Sequence, residues 1–416
     1  MSLDINVRNF IGYLVALIVF IYPSSSILLA NYGYLLLFGI FIILVSYIFK
    51  RDKYSLKQSE KIFLITFIMF FIIAAINVYF SGGKLRELDT YSRFILVLPF
   101  FFFIRSSNVS YKWFLYGFSL AALIFGANLF SQRIFNYEFF SFTKHTGMIS
   151  LYGSIFGVTS LFLADRSRAI KINTFLITSG IFGIITSFYA GGRGTWIAAI
   201  LSMVALYFMN PMKWKGIEKI ATILLFLSLF ILSLFIPNTG VKLKVNQAFD
   251  GVIEYYSQNQ EKDLTKGLSV ITRLEMWKSA LIISKESNFL GIGEGNFKRY
   301  NRKLIDDGLV SSSIKQYNHP HGQFLSTLVQ QGLIGLVVLL WLLYIPIFII
   351  RNDIKNLNEN INIKSLHVAL IVISVQYLGY SITNGIFAHQ NTTLFFALSI
   401  ALLTGFLFQE KRRVKQ

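Results

Sequence analysis

The stretch FLSTLVQQGLIGLVVLLWLLYIPIFI, at residues 324–349, contains no charged side chain. A helix needs about 20 apolar residues to cross the ~30 Å hydrocarbon core of a bilayer, so this stretch predicts a membrane-spanning helix. Similar runs recur along all 416 residues of the chain, which is 54% hydrophobic and only 14% charged. Soluble domains carry roughly 25% charged residues. The sequence therefore predicts an all-α polytopic membrane protein.

The other apolar runs predict about twelve transmembrane helices in all. The predicted spans lie near residues 10–30, 33–49, 61–80, 91–104, 113–130, 146–164, 172–190, 195–209, 218–236, 324–349, 365–383 and 390–408. Pro23 and the serines that follow it predict a break in the first span. One large loop, 238–323, is too long to be a simple connector.

Lys and Arg residues orient these spans. They are sparse in the short loops near 81–90, 131–145, 191–194 and 384–389, and concentrated at 50–61, 165–171, 213–219, 351–364 and 410–416. The positive-inside rule makes the second group cytoplasmic, with both termini inside and the large loop outside. We therefore predict transmembrane helices 1–9 in 1–237, an outer loop with amphipathic helices in 238–323, and helices 10–12 with a cytoplasmic tail in 324–416.

The net charge of +19 follows from this orientation bias, to which attraction to anionic lipid head groups or to a phosphorylated substrate adds. We therefore predict membrane lipids as partners and no nucleic acid. The chain has no cysteine, which excludes disulfides and thiolate nucleophiles.

Two of the five histidines, His319 and His321, flank a proline where the outer loop enters the tenth span. Imidazole suits proton transfer near neutral pH. The bland alternative is a pair of amphipathic side chains at the membrane interface. A metal site is a further alternative, but no neighbouring Asp, Glu or Cys completes a ligand set, so we predict no metal and no cofactor.

Arginines on the outer side indicate an anionic ligand. Arg193 lies in the turn AGGRGTW (190–196), where a charge at the membrane edge is costly unless it is paired or wet. Arg273 begins RLEMWKSALIIS (273–284), whose helical period places Arg273 and Trp277 on one face of a helix against the outer leaflet. Guanidinium binds phosphate oxygens bidentately, although snorkelling or solvated arginines are the alternative. The further basic residues predicted outside are Lys84, Arg86, Arg93, Arg133 and Lys144.

In this order, these motifs resemble the O-antigen ligase family of membrane glycosyltransferases. The resemblance rests on the GGRG turn and on an Arg-x3-Trp helix followed by the GIGEGNF turn (291–297). It also rests on HPHGQFL (319–325) with QQGLIG (330–335), and on one large outer loop before the tenth of twelve spans. Each motif is short, but the ordered set covers most of the chain.

The resemblance implies a C-type glycosyltransferase fold. Such ligases transfer polysaccharide from undecaprenyl diphosphate to the lipid A-core oligosaccharide at the periplasmic face of the bacterial inner membrane, without a metal or nucleotide. It implies that His321 is the general base and that Arg193 and Arg273 bind the diphosphate. We assign substrate binding to His319, Trp277, Lys84, Arg86, Arg93, Arg133 and Lys144. The segments predicted to lie outside contain no paired carboxylates at an obvious spacing, which favours single displacement with inversion.

Two departures and three alternatives accompany this interpretation. Gly322 stands where the family usually has Asn, and Asn384 where it often has Asp. An O-antigen polymerase of the same superfamily has nearly the same motifs, and a ligase that modifies protein is a second alternative. A lipid-glycan transporter is the third, but its polar residues belong at mid-bilayer, whereas these cluster on the outer side.

Overall fold

The structure is a computed structural model that describes residues 2–29, 33–48, 55–142, 144–165, 167–236, 238–256, 268–355 and 360–414. Helices make up nearly all of its regular structure, and no strand occurs in these ranges. The α-helices in chain order are α1 (Ser2–Leu28), α2 (Gly33–Ile48), α3 (Gln58–Phe80), α4 (Asp89–Leu96), α5 (Leu98–Ser106), α6 (Tyr111–Phe135), α7 (Thr146–Leu163), α8 (Ile170–Ala190), α9 (Arg193–Met209), α10 (Gly216–Phe235), α11 (Val241–Tyr256), α12 (Leu268–Glu286), α13 (Phe297–Asp306), α14 (Gln323–Lys355), α15 (Ile361–Ser381) and α16 (Gln390–Arg413).

The prediction of an all-α polytopic membrane protein is confirmed. Among the described residues, nine helices are long and apolar enough to cross a bilayer, and α9 is a shorter apolar helix. Within the described residues, each predicted span except the fourth lies mainly on one helix, because an uninterrupted apolar run must satisfy its own backbone hydrogen bonds in lipid. The fourth predicted span, 91–104, is not one helix: α4 ends at Leu96 and α5 begins at Leu98, just before Pro99.

Two further helices differ from the sequence-based prediction. The predicted break in the first span is wrong, because α1 continues through Pro23. α1 packs along α6, and membrane helices tolerate proline where a neighbouring helix supports them. Conversely, α14 contains a break that we did not predict, at Gly332, whose φ of 71° is in the left-handed region.

The core of the bundle lies around α7 and α16, the most deeply buried spans. Close packing of α7 on α8 depends on small residues: a Cβ on Gly183 would lie 2.5 Å from the Cα atom of Gly157. On the other side, Tyr152 and Phe395 place their ring centroids 4.3 Å apart. Spans packed this tightly provide a rigid frame for the loops at their ends.

One end of the bundle is closed by polar contacts between the basic segments. Arg105 pairs with Glu60 in a buried ion pair, and its Nη2 atom donates to the Ser55 carbonyl at 3.0 Å. Arg168 donates to Ser365 at 2.7 Å. Asn362 donates to Glu410 at 2.8 Å and Arg412 to the Arg105 carbonyl at 2.9 Å, so the predicted cytoplasmic segments 50–61, 165–171, 351–364 and 410–416 lie at the same end. Which side of the membrane this end faces stays a prediction.

The large loop forms a structured cap at the opposite end. Its helices α12 and α13 bury Met276, Ile283 and Phe297 in a second hydrophobic cluster. The predicted helix at 273–284 lies within α12, which packs against α11, α13 and α14. The predicted contact of this helix with a lipid leaflet stays a prediction. Residues 257–267 lie outside the described residues.

The GIGEG turn ties this cap to the break in α14. The Ile292 and Gly293 amides donate to the carbonyls of Val329 and Gln330 at 2.9 Å, and the Leu333 amide donates to the Phe289 carbonyl at 2.9 Å. These bonds satisfy backbone groups that the break at Gly332 would otherwise leave open. The turn predicted for this motif is therefore present, and its backbone amides donate to carbonyl groups of α14.

Candidate functional site

A cleft of about 410 Å³ opens at the end of the bundle opposite the Glu60–Arg105 pair. Its walls come from the first turns of α7, α9 and α16, the end of α15, and the large-loop helices α11 and α12. The cleft brings together Arg193, Arg273 and His321, the three residues predicted to be catalytic. Among the described residues that line it there is no Asp or Glu.

Three helix N-termini surround this cleft. Thr146, Arg193 and His389 lie at the starts of α7, α9 and α16, and all three line the walls. A helix N-terminus presents unpaired amide hydrogens and the positive end of the helix dipole. Together with two arginines and Lys244, these termini make the cleft strongly electropositive and suited to an anion.

The GGRG turn positions Arg193 at this wall. Gly191, with a φ of 78°, ends α8, and Arg193 is the first residue of α9. Close packing explains the next glycine, because a Cβ on Gly192 would lie 2.7 Å from the Ser150 side chain. The glycines therefore bring backbone close to α7 as well as to the cleft. The Arg193 Nη1 atom donates to the Lys244 carbonyl at 3.2 Å, which links the turn to the outer loop.

Arg273 reaches the cleft from α12 in the large loop. Burial lowers the pKa of its guanidinium, and the hydroxyl groups of Tyr380 and Tyr317 oppose that change. Because arginine starts far above neutral pH, it stays charged. Trp277, one turn further along, does not line the cleft. Its indole lies against the backbone at Gly322, where a Cβ would be 3.4 Å from the Nε1 atom.

The two family departures, Gly322 and Asn384, lie close to His321. A Cβ on Gly322 would also meet the Ile382 carbonyl at 3.0 Å, so a larger side chain there would be directed at α15 and the Trp277 indole. Within the described part of the chain, that indole N–H has no hydrogen-bond partner. Asn384 lines the cleft, and its backbone carbonyl accepts a hydrogen bond from the backbone amide of Gln323 at 3.1 Å.

The His-Pro-His segment forms a sharp corner before α14. His321 has a φ of 52°, a left-handed conformation that is uncommon for a residue with a side chain. Its backbone amide donates to the Nδ1 atom of His319 at 3.2 Å. The structure thus places His321 in the cleft wall and His319 behind it, holding the corner.

Burial keeps these imidazoles neutral. It lowers the pKa of His321 to about 4, and the charges of Arg273 and His389 add to the effect. The pKa of His319 falls to about 3, through burial first and then through His321 and His389. Burial and His145 lower the pKa of His389 as well. At neutral pH each ring is therefore uncharged and has one unprotonated nitrogen; in His319 that nitrogen is Nδ1, which accepts the His321 amide.

The remaining predicted basic residues are not brought into the cleft. Arg93 is paired with Asp89 at 2.7 Å, and Arg133 donates to the Tyr189 carbonyl at 3.5 Å. Lys84 and Arg86 are exposed around the short 3-10 helix Leu85–Leu88. Lys144 is not a lining residue, and burial lowers its pKa. As with Trp277, the structure gives no support for contact between these side chains and a ligand in this cleft.

Sequence reasoning missed four ionisable lining residues: His145, Lys244, Tyr380 and His389. A signal for two of them was present, because His145 and His389 each immediately precede a span, as the His319–His321 segment does. The His389 ring centroid lies 6.3 Å from those of both His145 and His319. Lys244 and Tyr380 carried no such signal, since only the folded chain brings α11 and the end of α15 to this wall.

The fold and the cleft define a multi-pass membrane protein with a cationic, histidine-rich site at one end. A family model described as O-Antigen ligase matches residues 178–340, which include Arg193, Arg273 and His321. This match confirms the predicted resemblance to the O-antigen ligase family. A Haemophilus influenzae protein named "Uncharacterized protein" is 26% identical over 363 residues, which is 85% of this chain and 88% of the relative.

Proposed function

We propose that the protein is an O-antigen ligase that transfers glycan from undecaprenyl diphosphate to a lipid A-core acceptor at the periplasmic face of the inner membrane. The family match supports activity of the ligase and polymerase type on lipid-linked glycans. The observation that carries the proposal is the convergence of Arg193, Arg273 and His321 on one cleft whose described lining lacks a carboxylate.

The donor's diphosphate fits the cationic part of this cleft. Arg193 and Arg273 approach from two different elements, α9 and α12, and the starts of α7, α9 and α16 add amide donors. Negative charge grows on the diphosphate as the bond to the anomeric carbon breaks. Preorganised donors stabilise that charge, and removal of one typically costs about 10²–10³ in kcat.

His321 is the proposed general base. The acceptor hydroxyl oxygen forms a bond to the anomeric carbon, the bond from that carbon to the diphosphate breaks, and the hydroxyl proton moves to the imidazole of His321. Undecaprenyl diphosphate leaves with the bonding electron pair. The lowered pKa of His321 keeps the base unprotonated at neutral pH. With no carboxylate among the described residues of the wall to act as a nucleophile, a single inverting displacement is the simplest route.

Transfer by the purified protein tests this function. Detergent-solubilised protein is mixed with a glycan on undecaprenyl diphosphate and with lipid A-core, and covalent product is followed by mass spectrometry. We expect product without an ion gradient and without added metal, at an equal rate in EDTA. Movement of the donor across vesicles without covalent product would instead identify a transporter.

A second acceptor separates ligase from polymerase. When lipid A-core is replaced by a second molecule of the lipid-linked donor, a ligase leaves the glycan length unchanged. Elongated glycan on the carrier lipid, with no product on lipid A-core, would assign the protein to the polymerases.

A further inference from the structure

A third cation lines the cleft in addition to the two arginines. Lys244 comes from α11 of the large loop, and its side chain is exposed at the cleft wall. Its ammonium group has no hydrogen-bond or ion-pair partner among the described residues. The described lining residues also include no Asp or Glu that would neutralise it. The positive charge of Lys244 is therefore available to a ligand that enters the cleft.

The GGRG turn fixes the position of this lysine. The Lys244 backbone carbonyl accepts a hydrogen bond from the Arg193 Nη1 atom at 3.2 Å. The aliphatic part of the Lys244 side chain passes over Gly191, since a Cβ atom on that glycine would lie 3.5 Å from the Lys244 Cε atom and 3.7 Å from its Cγ atom. Gly191 and Arg193 both line the cleft. Two contacts thus hold α11 against the start of α9 and keep the ammonium group beside the turn that carries Arg193.

The charges in the proposed reaction determine what a third cation does. In the donor, each phosphorus of the diphosphate carries one ionised oxygen, so the bound donor brings two negative charges. Arg193 and Arg273 offset these two charges. When the bond to the anomeric carbon breaks, its electron pair stays on the diphosphate oxygen, and the leaving group acquires a third negative charge. This third charge is absent from the bound donor and grows only as the bond breaks.

We propose that Lys244 binds the leaving undecaprenyl diphosphate and stabilises its third negative charge, an assignment that rests on the proposed ligase function. An interaction that is stronger in the transition state than in the ground state raises kcat, whereas equal binding of both states only lowers KM. Lys244 therefore acts mainly on kcat. A phosphate group of the acceptor is the alternative ligand for this lysine, and the two sources of phosphate are distinguished by the kinetics below.

The Lys244→Met variant tests this role in turnover. Methionine keeps an unbranched side chain over Gly191 and removes the charge. We expect kcat to fall about 10- to 100-fold, which is less than the loss of a donor in a water-excluded site costs, because the ammonium group is exposed. KM for the donor should change by less than about threefold. Lys244→Arg keeps the charge and should recover most of kcat.

Lys242→Met is the matched control. Lys242 is an exposed residue of the same helix that does not line the cleft, and its substitution makes the same change in net charge. Its kcat and both KM values should equal those of the wild type. An unchanged kcat in Lys244→Met would overturn the proposal. So would a higher KM for phosphorylated lipid A-core with no change for the same acceptor after removal of its phosphates, because that result assigns Lys244 to the acceptor.

Affinity measurements separate this assignment from the ligase function, because they need no glycan transfer. Calorimetric titration at pH 8 compares farnesyl diphosphate, whose terminal phosphate is almost fully ionised there, with the same compound carrying a sugar on that phosphate. The sugar-bearing compound has one negative charge fewer. We expect Lys244→Met to weaken binding of farnesyl diphosphate about tenfold and binding of the sugar-bearing compound by no more than about threefold, and Lys242→Met to weaken neither.

The ratio of these two affinities is the decisive quantity, because a variant that folds poorly loses both affinities alike. Equal losses for the two compounds in Lys244→Met would overturn the proposal. If the ratio changes as expected but the wild type transfers no glycan, the anion site stands and the ligase function fails. If the wild type transfers glycan and the ratio does not change, the Lys244 assignment fails and the ligase function stands.

Discussion

Replacing Arg273 with Gln should move the acidic limb of the pH–rate profile to higher pH. In the wild type, burial and the Arg273 charge lower the pKa of His321 to about 4, so protonation that inactivates the base begins only near that pH. At pH 5 about 90% of such a base is still neutral, against about 3% for an imidazole with the ordinary pKa of about 6.5. Between pH 7 and pH 5, wild-type kcat/KM should therefore fall by only about a tenth, where an unperturbed base would lose about 25-fold.

The Arg273→Gln variant removes the second of the causes that lower this pKa but leaves burial, the largest, in place. In this variant the pKa of His321 should therefore rise only part of the way towards 6.5. The midpoint of the acidic limb should accordingly lie between pH 4 and pH 6.5. The absolute rate should also fall, because the variant lacks one of the two arginines proposed to bind the diphosphate. Initial rates at subsaturating donor between pH 4 and pH 8 measure kcat/KM, which reports the free enzyme.

Arg302→Gln is the matched control, since Arg302 is an exposed residue of α13 that does not line the cleft. Its pH profile should overlay that of the wild type. The reasoning is refuted if Arg273→Gln has its acidic limb at the wild-type position, or if wild-type kcat/KM has already collapsed at pH 5.5.

Three further outcomes are expected. Arg193→Ala should lower kcat by about 10²–10³, and Arg193→Lys should recover only part of it, because an ammonium lacks the planar fork of donors; initial rates at equal protein levels measure both. Arg105→Met should lower the free energy of unfolding by about 3–5 kcal/mol, because it leaves Glu60 charged and buried. The double variant Glu60→Gln/Arg105→Met should be nearer to the wild type in stability. Thermal unfolding in detergent measures both. A reporter enzyme that is active only outside the cytoplasm should be active when inserted after Gly308 and inactive when fused after Val414; the reverse pattern would invert the topology.

Much of the fold was predictable because the backbone of an apolar run in a membrane must satisfy its own hydrogen bonds, which a helix does. The exceptions are places where tertiary contacts decide the local backbone. At Pro23 the sequence indicates a break, yet α1 continues through it and packs along α6. The break at Gly332 carries little local signal, because it depends on hydrogen bonds exchanged with residues 289–293 of the large loop.

The candidate site was predictable only in part. Arg193, Arg273 and His321 were found because a charge or an imidazole at a membrane edge is unusual, and the structure brings all three to one cleft. The same reasoning also selected Arg93, which an ion pair with Asp89 holds outside that cleft. Lys244 lines the cleft only because of how the large loop folds, which the sequence pattern does not reveal.

The central claim is that His321 takes the proton of the acceptor hydroxyl, and the paired variants His321→Ala and His319→Ala test it most directly. Transfer rate and donor affinity are measured on the same purified samples, with undecaprenyl diphosphate glycan as donor and lipid A-core as acceptor. We predict that His321→Ala lowers the transfer rate by about 10²–10⁴ while its Kd for the donor stays within about twofold of the wild type, and that His319→Ala, which lies behind the cleft wall, is milder. A near-normal rate in His321→Ala, whether or not His319→Ala is impaired, would contradict the claim.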